Sequence, residues 1–177
     1  MKIVIDLQSL QTQSRFRGIG RYSLALTKAI IKNKKDHEIV IALSNLFPDT
    51  IEEIKEEFKE LLPKQNIKIW NAISPTKECE EENKPNRKTS QLLREMFLSN
   101  LKPDIILISS LFEGYIGDAV LSIQEYKTKI PTATILYDLI PFISPQKYLS
   151  HKPTSLWYYN KIDILKKILK QINIVKL

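Results

Sequence analysis

The sequence predicts an α/β protein built on a Rossmann-like, doubly wound parallel sheet. Short β-branched segments alternate with longer segments of helical periodicity along most of the chain. The apolar segments at 39–43 and 105–108 are continuous, which is typical of strands buried on both faces. Parallel strands joined by right-handed helical crossovers follow from these two observations. We expect one such domain over residues 1–177.

The first half of the chain predicts three strands and two helices. β-branched residues cluster in three short segments that we interpret as strands, at 2–6, 38–44 and 66–71. The first helix should begin near Gly18 to Gly20 and end at about Asn33. Its apolar residues recur at helical spacing and predict a buried stripe of Tyr22, Leu26, Ala29 and Ile30.

The second helix is expected over 48–62. Thr50 and Glu53 have the spacing of a capping box at its start. Its apolar face comprises Ile51, Ile54, Phe58 and Leu61. Residues 72–85 are polar and contain two prolines, so we expect a surface loop there.

The second half of the chain predicts two more strands and three helices. The helices are expected at 88–101, 118–126 and 154–169, and the strands at 104–109 and 132–138. Pro103 ends the first of these helices. Its apolar face comprises Leu92, Leu93, Met96, Phe97 and Leu101. Residues 141–153 are expected to form a loop. Trp157 could stack on a sugar or a base, but an aromatic residue at a helix position is more typical of the core.

Composition and charge limit the possible functions. The single cysteine excludes an internal disulfide and a cysteine-rich zinc site, and no apolar run approaches the roughly 20 residues of a membrane span. The amino terminus lacks the pattern of a signal peptide, so we expect a cytoplasmic protein. The net charge is +7, with basic residues concentrated in 1–35 and 145–177. Basic residues at both ends of the chain favour an anionic partner, for example a membrane surface. The alternative is that they lie on helix faces that only contact solvent. Nucleic acid is disfavoured because no reading module is recognisable.

Ligands of a doubly wound sheet bind beyond the carboxyl ends of its strands, so the exit loops are the candidate site. Gly18, Gly20 and Arg21 start the first helix, where free N–H groups and a positive charge could bind an anion. Glycines that simply begin a helix are the alternative. A dinucleotide fingerprint would need a third glycine at Ser23, and no NTPase phosphate loop is present.

Two further exit loops carry acids. Glu113 follows the fourth strand, where a ligand contact or a surface turn is possible. Tyr137 and Asp138 end the fifth strand, and Asp138 could act as a base, bind sugar hydroxyls or cap the next turn. The two histidines lie far apart in sequence, so no metal site is predicted.

Five stretches in order resemble the amino-terminal half of the family 4 glycosyltransferases, in particular bacterial O-antigen and capsule mannosyltransferases. The stretches are 5–8, 17–22, 110–114, 135–141 and 157–159. The resemblance implies the acceptor-side half of a GT-B enzyme that is retaining, metal-independent and free of cofactors. It implies a nucleotide-sugar donor, with GDP-mannose expected, and a lipid-linked glycan acceptor in surface polysaccharide synthesis.

The resemblance also assigns residues. Gly18, Gly20 and Arg21 would lie near the donor phosphates, Glu113 and Tyr137 would bind substrate, and Asp138 would be catalytic. Tyr137 stands where many relatives have histidine. The carboxyl-terminal donor half, with its pair of glutamates, is expected to be absent, so the isolated chain is expected to be inactive. A non-catalytic Rossmann-like module that binds a phosphorylated ligand or a protein partner is the alternative.

Overall fold

The computed structural model describes residues 1–126, 129–137 and 139–172. They form one five-stranded sheet in which every neighbouring pair of strands is parallel. The strands are β1 (Lys2–Asp6), β2 (Glu38–Ser44), β3 (Ile67–Trp70), β4 (Ile105–Ile108) and β5 (Thr132–Thr134). Their order across the sheet is β3-β2-β1-β4-β5. The Rossmann-like α/β prediction is confirmed.

Helices follow β1, β2, β3 and β5, whereas the described residues of the crossover from β4 to β5 contain no helix. They are α1 (Gly18–Lys32), α2 (Pro48–Phe58), α3 (Lys84–Asn100), α4 (Ile140–Ile143), α5 (Pro145–Tyr148) and α6 (Lys152–Ile172). Two 3₁₀ turns, Gln8–Leu10 and Gln13–Phe16, connect β1 to α1. Within the described residues, no helix is long and apolar enough to cross a membrane.

The sheet is buried on both faces, as the continuous apolar strands predict. Val4 and Ile5 of β1 are completely buried but belong to separate apolar clusters. Ile5 packs in the cluster that contains Phe58 of α2, and Val4 in the cluster that contains Leu98 of α3. Successive side chains of a strand point to opposite faces, so one strand contributes to both cores.

The strand order reverses direction at β1, and this reversal positions the candidate site. β1 pairs with β2 on one side and with β4 on the other, with Ile5 opposite both Ile41 and Leu107. The chain therefore leaves β1 and β4 in opposite directions at neighbouring positions of the same edge. A crevice at such a switch point is the usual ligand position in open α/β sheets.

The predicted buried stripe of α1 is partly wrong. Tyr22 is 54% exposed and Ala29 is also exposed, whereas Leu26 and Ile30 are half-buried. The buried residues of α1 are Gly20, Ser23, Thr27 and Ile31. Small and polar side chains allow close approach to the sheet edge, where the Ser23 hydroxyl donates to the Ser109 carbonyl at 3.4 Å.

The predicted apolar face of α3 is also partly wrong. The helix begins at Lys84, and Leu93 and Met96 are exposed. Its buried residues are Ser90, Arg94, Glu95 and Leu98. Polar residues can occupy the inner face because they have hydrogen-bond partners there. The Ser90 hydroxyl, for example, donates to the Ile73 carbonyl at 3.1 Å.

The segment 118–126 was predicted to be a helix and is a non-helical coil with bends at 123–126 instead. Its apolar residues Ala119, Val120, Leu121 and Ile123 are buried. Helical spacing and a buried, non-helical run of apolar residues look alike over so short a segment. Backbone groups of this coil form hydrogen bonds with side chains from distant segments of the chain. The local sequence pattern does not reveal those partners.

Several predicted ends differ from the observed ones. α2 ends at Phe58, and Thr50 is not its cap, because the Thr50 hydroxyl donates to the Phe47 carbonyl at 2.7 Å. The predicted loop 141–153 contains the short helices α4 and α5. β5 ends at Thr134, four residues before the predicted end at 138.

Candidate functional site

The candidate site lies at the carboxyl edge of β1 and β4. It is assembled from the segment between β1 and α1, the first turns of α1, the loop after β4 and the beginning of α6. Its interior and its open side differ in how their charges are compensated.

A buried ion pair lies beneath the site. Asp6 ends β1, Arg94 projects from α3, and each is only 1% exposed. Arg94 Nε donates to Asp6 Oδ2 at 2.5 Å. The backbone N–H of Gln8 and its side-chain amide also donate to the Asp6 carboxylate, at 3.1–3.3 Å. The Asp6 carboxylate therefore has both a cation and hydrogen-bond donors inside the protein, as a buried carboxylate requires.

Two glutamines in the β1–α1 segment bind backbone groups of neighbouring segments. The Gln8 side chain donates to the Val120 carbonyl at 2.9 Å and accepts from the Val120 N–H at 3.0 Å. Gln11 does the same with Ser44, at 3.0 Å and 2.7 Å. Each side-chain amide therefore makes the two hydrogen bonds that the backbone of a neighbouring strand would otherwise make. Gln8 fixes the coil 118–123, and Gln11 fixes the end of β2.

Serine hydroxyls join β4 to the same segment. Ser9 Oγ donates to Ser109 Oγ at 2.7 Å, and both residues are buried. Together with the Ser23 contact to the Ser109 carbonyl, this links the β1–α1 segment, α1 and the end of β4. Polar side chains thus join these three segments in the interior of the site.

Glu113 lies on the open side and has a different environment. It is 6% exposed, and its Oε2 accepts a hydrogen bond from the Thr12 hydroxyl at 2.9 Å. Its Oε1 has no partner in hydrogen-bond geometry among the described residues. Burial raises the pKa of the Glu113 carboxyl, and hydroxyl donors from Ser14 and Thr12 oppose that shift.

A cleft of about 320 Å³ opens beside Glu113. Its lining includes Thr12, Ser14 and Arg17 before α1, residues 112–117 after β4, and Trp157 of α6. The loop after β4 is tightly folded, because Gly114 has a φ of +95° and a Cβ there would lie 2.5 Å from the Ala119 carbonyl oxygen. Only glycine fits that position without strain.

A second buried ion pair fixes the wall of this cleft. Lys161 of α6 is 1% exposed, and its Nζ lies 2.5 Å from Glu78 Oε1. Lys161 also lies 5.8 Å from the centre of the Trp157 ring. The Glu78 N–H donates to the Gly114 carbonyl at 2.8 Å, so the segment around Glu78 is bound to both α6 and the loop after β4.

The predicted anion-binding residues lie at the start of α1. Arg21 is exposed there, and a Cβ on Gly18 would meet no atom within 4 Å. Gly20 is buried, and a Cβ there would lie 2.4 Å from the Arg15 Cα. A glycine at position 20 is therefore required for the Gln13–Phe16 turn to pack on α1. The role of these residues in binding donor phosphates stays a prediction.

Tyr137 lies at the start of α1 rather than in the cleft of Glu113. Its hydroxyl is 3.1 Å from the Ser23 hydroxyl, and its ring makes an edge contact with Tyr22 at 5.9 Å. Burial raises the pKa of the Tyr137 phenol. The predicted catalytic residue Asp138 lies outside the described residues, and its role stays a prediction. Tyr137 is not among the described residues that line the Glu113 cleft, although the Glu113 charge also contributes to the raised pKa of its phenol.

Comparison with known proteins adds to this geometry. The chain is 33% identical over 163 residues to the serotype-specific mannosyltransferase WbdA of Escherichia coli, covering 92% of the chain and 19% of that protein. Two other Escherichia coli proteins of the same name are 30% and 28% identical over 138 residues, which is 77% of the chain and 17% of each relative. This chain is homologous to a segment of serotype-specific mannosyltransferases.

The resemblance to bacterial mannosyltransferases is confirmed, and the assignment to family 4 stays a prediction. The chain spans less than a fifth of the length of these mannosyltransferases. No protein-family model and no solved structure matches the chain. Among the described residues, no three His, Cys, Asp or Glu side chains are grouped so that they could hold a metal ion.

Several residues of the site were missed by sequence reasoning. Gln8 lies within a stretch that resembles the glycosyltransferases, yet no role was predicted for it. Thr12, Gln11 and Arg94 carried no signal, because each acts on a partner more than 30 residues away in the chain. Trp157 was interpreted as a core residue, and it is half-buried in the cleft wall.

Proposed function

We propose that the chain is the acceptor-side half of a retaining glycosyltransferase that transfers mannose from GDP-mannose to a lipid-linked glycan during surface polysaccharide synthesis. The observation that carries the proposal is the homology to serotype-specific mannosyltransferases over 92% of the chain. The open cleft at the carboxyl edge of a doubly wound sheet is consistent with it, because such edges bind small-molecule ligands.

The proposed reaction is a substitution at the anomeric carbon of the donor. The bond between that carbon and the diphosphate oxygen of GDP breaks, and a bond to an acceptor hydroxyl oxygen forms on the same face. The hydroxyl proton leaves with the departing GDP. Neither a metal ion nor a cofactor is part of this proposal. Asp138 is proposed to act at the reaction centre, as its place in the resemblance implies.

The start of α1 is the proposed contact with the donor diphosphate. Arg17 and Arg21 are exposed on either side of the first turn, and Gly18 leaves open space beside it. A helix amino terminus flanked by arginines favours an anion. The donor would therefore approach from the Gly18 side of α1.

We propose that the 177-residue chain assayed alone transfers no sugar. The chain spans 19% of the relative with the longest alignment, and stabilisation of a departing diphosphate needs preorganised charge around it. The assay incubates the chain with GDP-mannose and other nucleotide sugars and a polyprenyl-diphosphate-linked glycan. Mass spectrometry follows the acceptor, and a glycosylated product from the chain alone would overturn the proposal of inactivity.

A chimaera tests the acceptor-side role directly. The segment of an Escherichia coli WbdA that aligns with this chain is replaced by residues 1–163 of the chain, and mannosyl transfer from GDP-mannose is measured. We expect transfer that falls about 100-fold or more when Asp138→Ala is introduced, the lower bound for loss of acid–base catalysis. Asp163→Ala, at an exposed position, is the matched control. A folded chimaera without any transfer would contradict the proposal.

We further propose that the domain works at the cytoplasmic face of a membrane, in peripheral contact with anionic lipid. Exposed basic residues along α1 and after it support this, namely Arg17, Arg21, Lys32 and Lys35. Each basic residue near anionic lipid contributes about 1 kcal/mol. Co-sedimentation with anionic vesicles should decrease as salt is raised. Binding that is insensitive to salt would contradict the electrostatic contact.

A further inference from the structure

We propose that the cleft beside Glu113 is a subsite for one uncharged pyranose ring of the acceptor glycan, with Glu113 as its hydrogen-bond acceptor and Trp157 and Tyr115 as its apolar wall. This inference rests on the proposed function, because it takes the ligand to be the acceptor glycan. The cleft and its residues are observed independently of that function.

Glu113 indicates a ligand that donates hydrogen bonds. Its carboxylate lines the cleft, one oxygen is bound by Thr12, and the other has no partner in hydrogen-bond geometry among the described residues. A buried carboxylate oxygen without a donor is costly, and such groups in native proteins are usually satisfied by a ligand or by water. The terminal torsion of glutamate is broad, so a small rotation turns the free oxygen towards the cleft. Sugar hydroxyls are suitable donors.

The charge around Glu113 disfavours an anionic ligand. Lys161, the nearest buried cation to the cleft wall, is bound to Glu78 at 2.5 Å and is 1% exposed. The other groups that act on Glu113 are the hydroxyls of Thr12, Ser14 and Ser110, and the Lys161 charge reaches it only through space. A phosphate in the cleft would therefore meet a carboxylate with no unpaired buried cation beside it. Arg17, the cation among the described residues that line the cleft, is exposed.

The aromatic wall indicates a ligand with a flat apolar face. Tyr115 and Trp157 have ring centroids 5.2 Å apart at an interplanar angle of 41°, and Phe112 contacts Trp157 at 6.3 Å. Aromatic rings give a rigid apolar surface next to polar groups. A pyranose ring presents C–H groups on its faces and hydroxyls at its edge. Stacking on Trp157 would leave those hydroxyls free to reach Glu113.

The size and rigidity of the cleft fit one ring. Its volume of about 320 Å³ is near the lower end of the range of small-molecule sites. Its base is held by the Lys161–Glu78 ion pair and by two backbone hydrogen bonds, from Glu78 to Gly114 and from Cys79 to Tyr115, at 2.8 Å and 2.9 Å. A preformed cleft loses little entropy when a ligand binds.

The test is sugar binding by the purified 177-residue chain, measured without any transfer step. The probes are α-linked mannobiose, maltose and chitobiose, observed by saturation-transfer difference NMR and titrated to a dissociation constant. We expect at least one disaccharide to bind in the millimolar range. Glu113→Leu should weaken binding tenfold or more, whereas Glu113→Gln should stay within about threefold, because the amide oxygen still accepts. Glu60→Leu, at an exposed position, is the matched control.

Each outcome is decisive for the subsite. Binding that depends on Glu113 and is rescued by glutamine supports it, even if the WbdA chimaera fails and the proposed function falls. Binding that is equal in wild type and Glu113→Leu places the sugar elsewhere and overturns the subsite without touching the proposed function. No binding of any disaccharide also overturns it. Circular dichroism of each variant establishes that the fold is intact.

Discussion

Asp6 and Glu113 are two buried carboxylates at the same edge of the sheet, and only Asp6 has a cation bound to it. Asp6 has Arg94 at 2.5 Å and the amide of Gln8 beside it. Glu113 has the Thr12 hydroxyl at 2.9 Å and an oxygen without a partner among the described residues. Both are acids that follow an apolar strand, so residue type and position do not distinguish them.

The difference lies in what the neighbouring elements bring to each acid. α3 supplies Arg94 to Asp6, and the Asp6 carboxylate is buried with this partner. The segment between β1 and α1 gives Glu113 hydroxyl donors, and an open cleft lies beside it. Removing one partner of a compensated buried pair destabilises the fold, whereas an uncompensated carboxylate at a cleft is available for binding. Four changes can break or sharpen this comparison.

The largest effect is expected from breaking the Asp6–Arg94 pair. Arg94→Met leaves the Asp6 charge buried without a partner and should lower the free energy of unfolding by about 3–5 kcal/mol. Urea denaturation of the variant against wild type measures this. The double variant Asp6→Asn with Arg94→Met should recover part of the loss, since no charge is then stranded. Lys88→Met, at an exposed position of the same helix, is the control. A loss under about 1 kcal/mol for Arg94→Met would refute the compensation argument.

The next largest loss of stability is expected from Gly20→Ala, because the new Cβ would lie 2.4 Å from the Arg15 Cα and 2.5 Å from the Ser14 carbonyl oxygen. The Gln13–Phe16 turn must then shift, at a cost of about 1–3 kcal/mol. The shift also moves Ser14 in the cleft wall, so sugar binding should weaken with stability. Gly18→Ala has open space and should stay within about 0.5 kcal/mol of wild type. Equal midpoints of unfolding for the two variants would contradict the packing argument.

Substitution of Gln8 or Gln11 tests whether each glutamine stabilises only the backbone segment that it contacts in the interior of the site. Gln8→Ala should leave the Val120 backbone groups unpaired, and Gln11→Ala should do the same to Ser44. Each variant should lose about 1–3 kcal/mol. Hydrogen exchange resolves the two sites, with the Val120 amide faster only in Gln8→Ala and the Ser44 amide faster only in Gln11→Ala. Uniform acceleration in both variants would show that the glutamines do not act locally.

The smallest effect is expected from Glu113→Gln, and it depends on pH. Burial raises the pKa of Glu113 in the folded protein, so the protonated acid is favoured there. Its contribution to stability is complete below the unfolded pKa of about 4.3 and is lost as pH rises through the folded pKa. Neutral glutamine avoids that loss, so the variant should be more stable than wild type at pH 7. Near pH 4 the difference should vanish. Greater stability of wild type at pH 7 would mean that Glu113 is compensated like Asp6.

The sequence was sufficient for most of the sheet but not for the faces of its helices. β1 and β2 lie where β-branched runs predicted them, because a strand buried on both faces must be apolar on consecutive residues. α1 and α3 also exist as predicted, yet exposed Tyr22 and Met96 were placed inside. Helical periodicity detects apolar residues, and these helices bury Ser23 and Arg94 because polar partners lie opposite them.

The sequence by itself determined the parallel α/β architecture, the exit loops as the candidate site and Glu113 as one of its residues. Tertiary structure alone decided which acid is compensated, because the cation for Asp6 lies 88 residues away in the chain. It also placed Trp157 beside Glu113, and it placed the Tyr137 hydroxyl beside Ser23 of α1. Strand patterns follow from local burial, whereas charge compensation depends on distant segments that only the folded chain brings together.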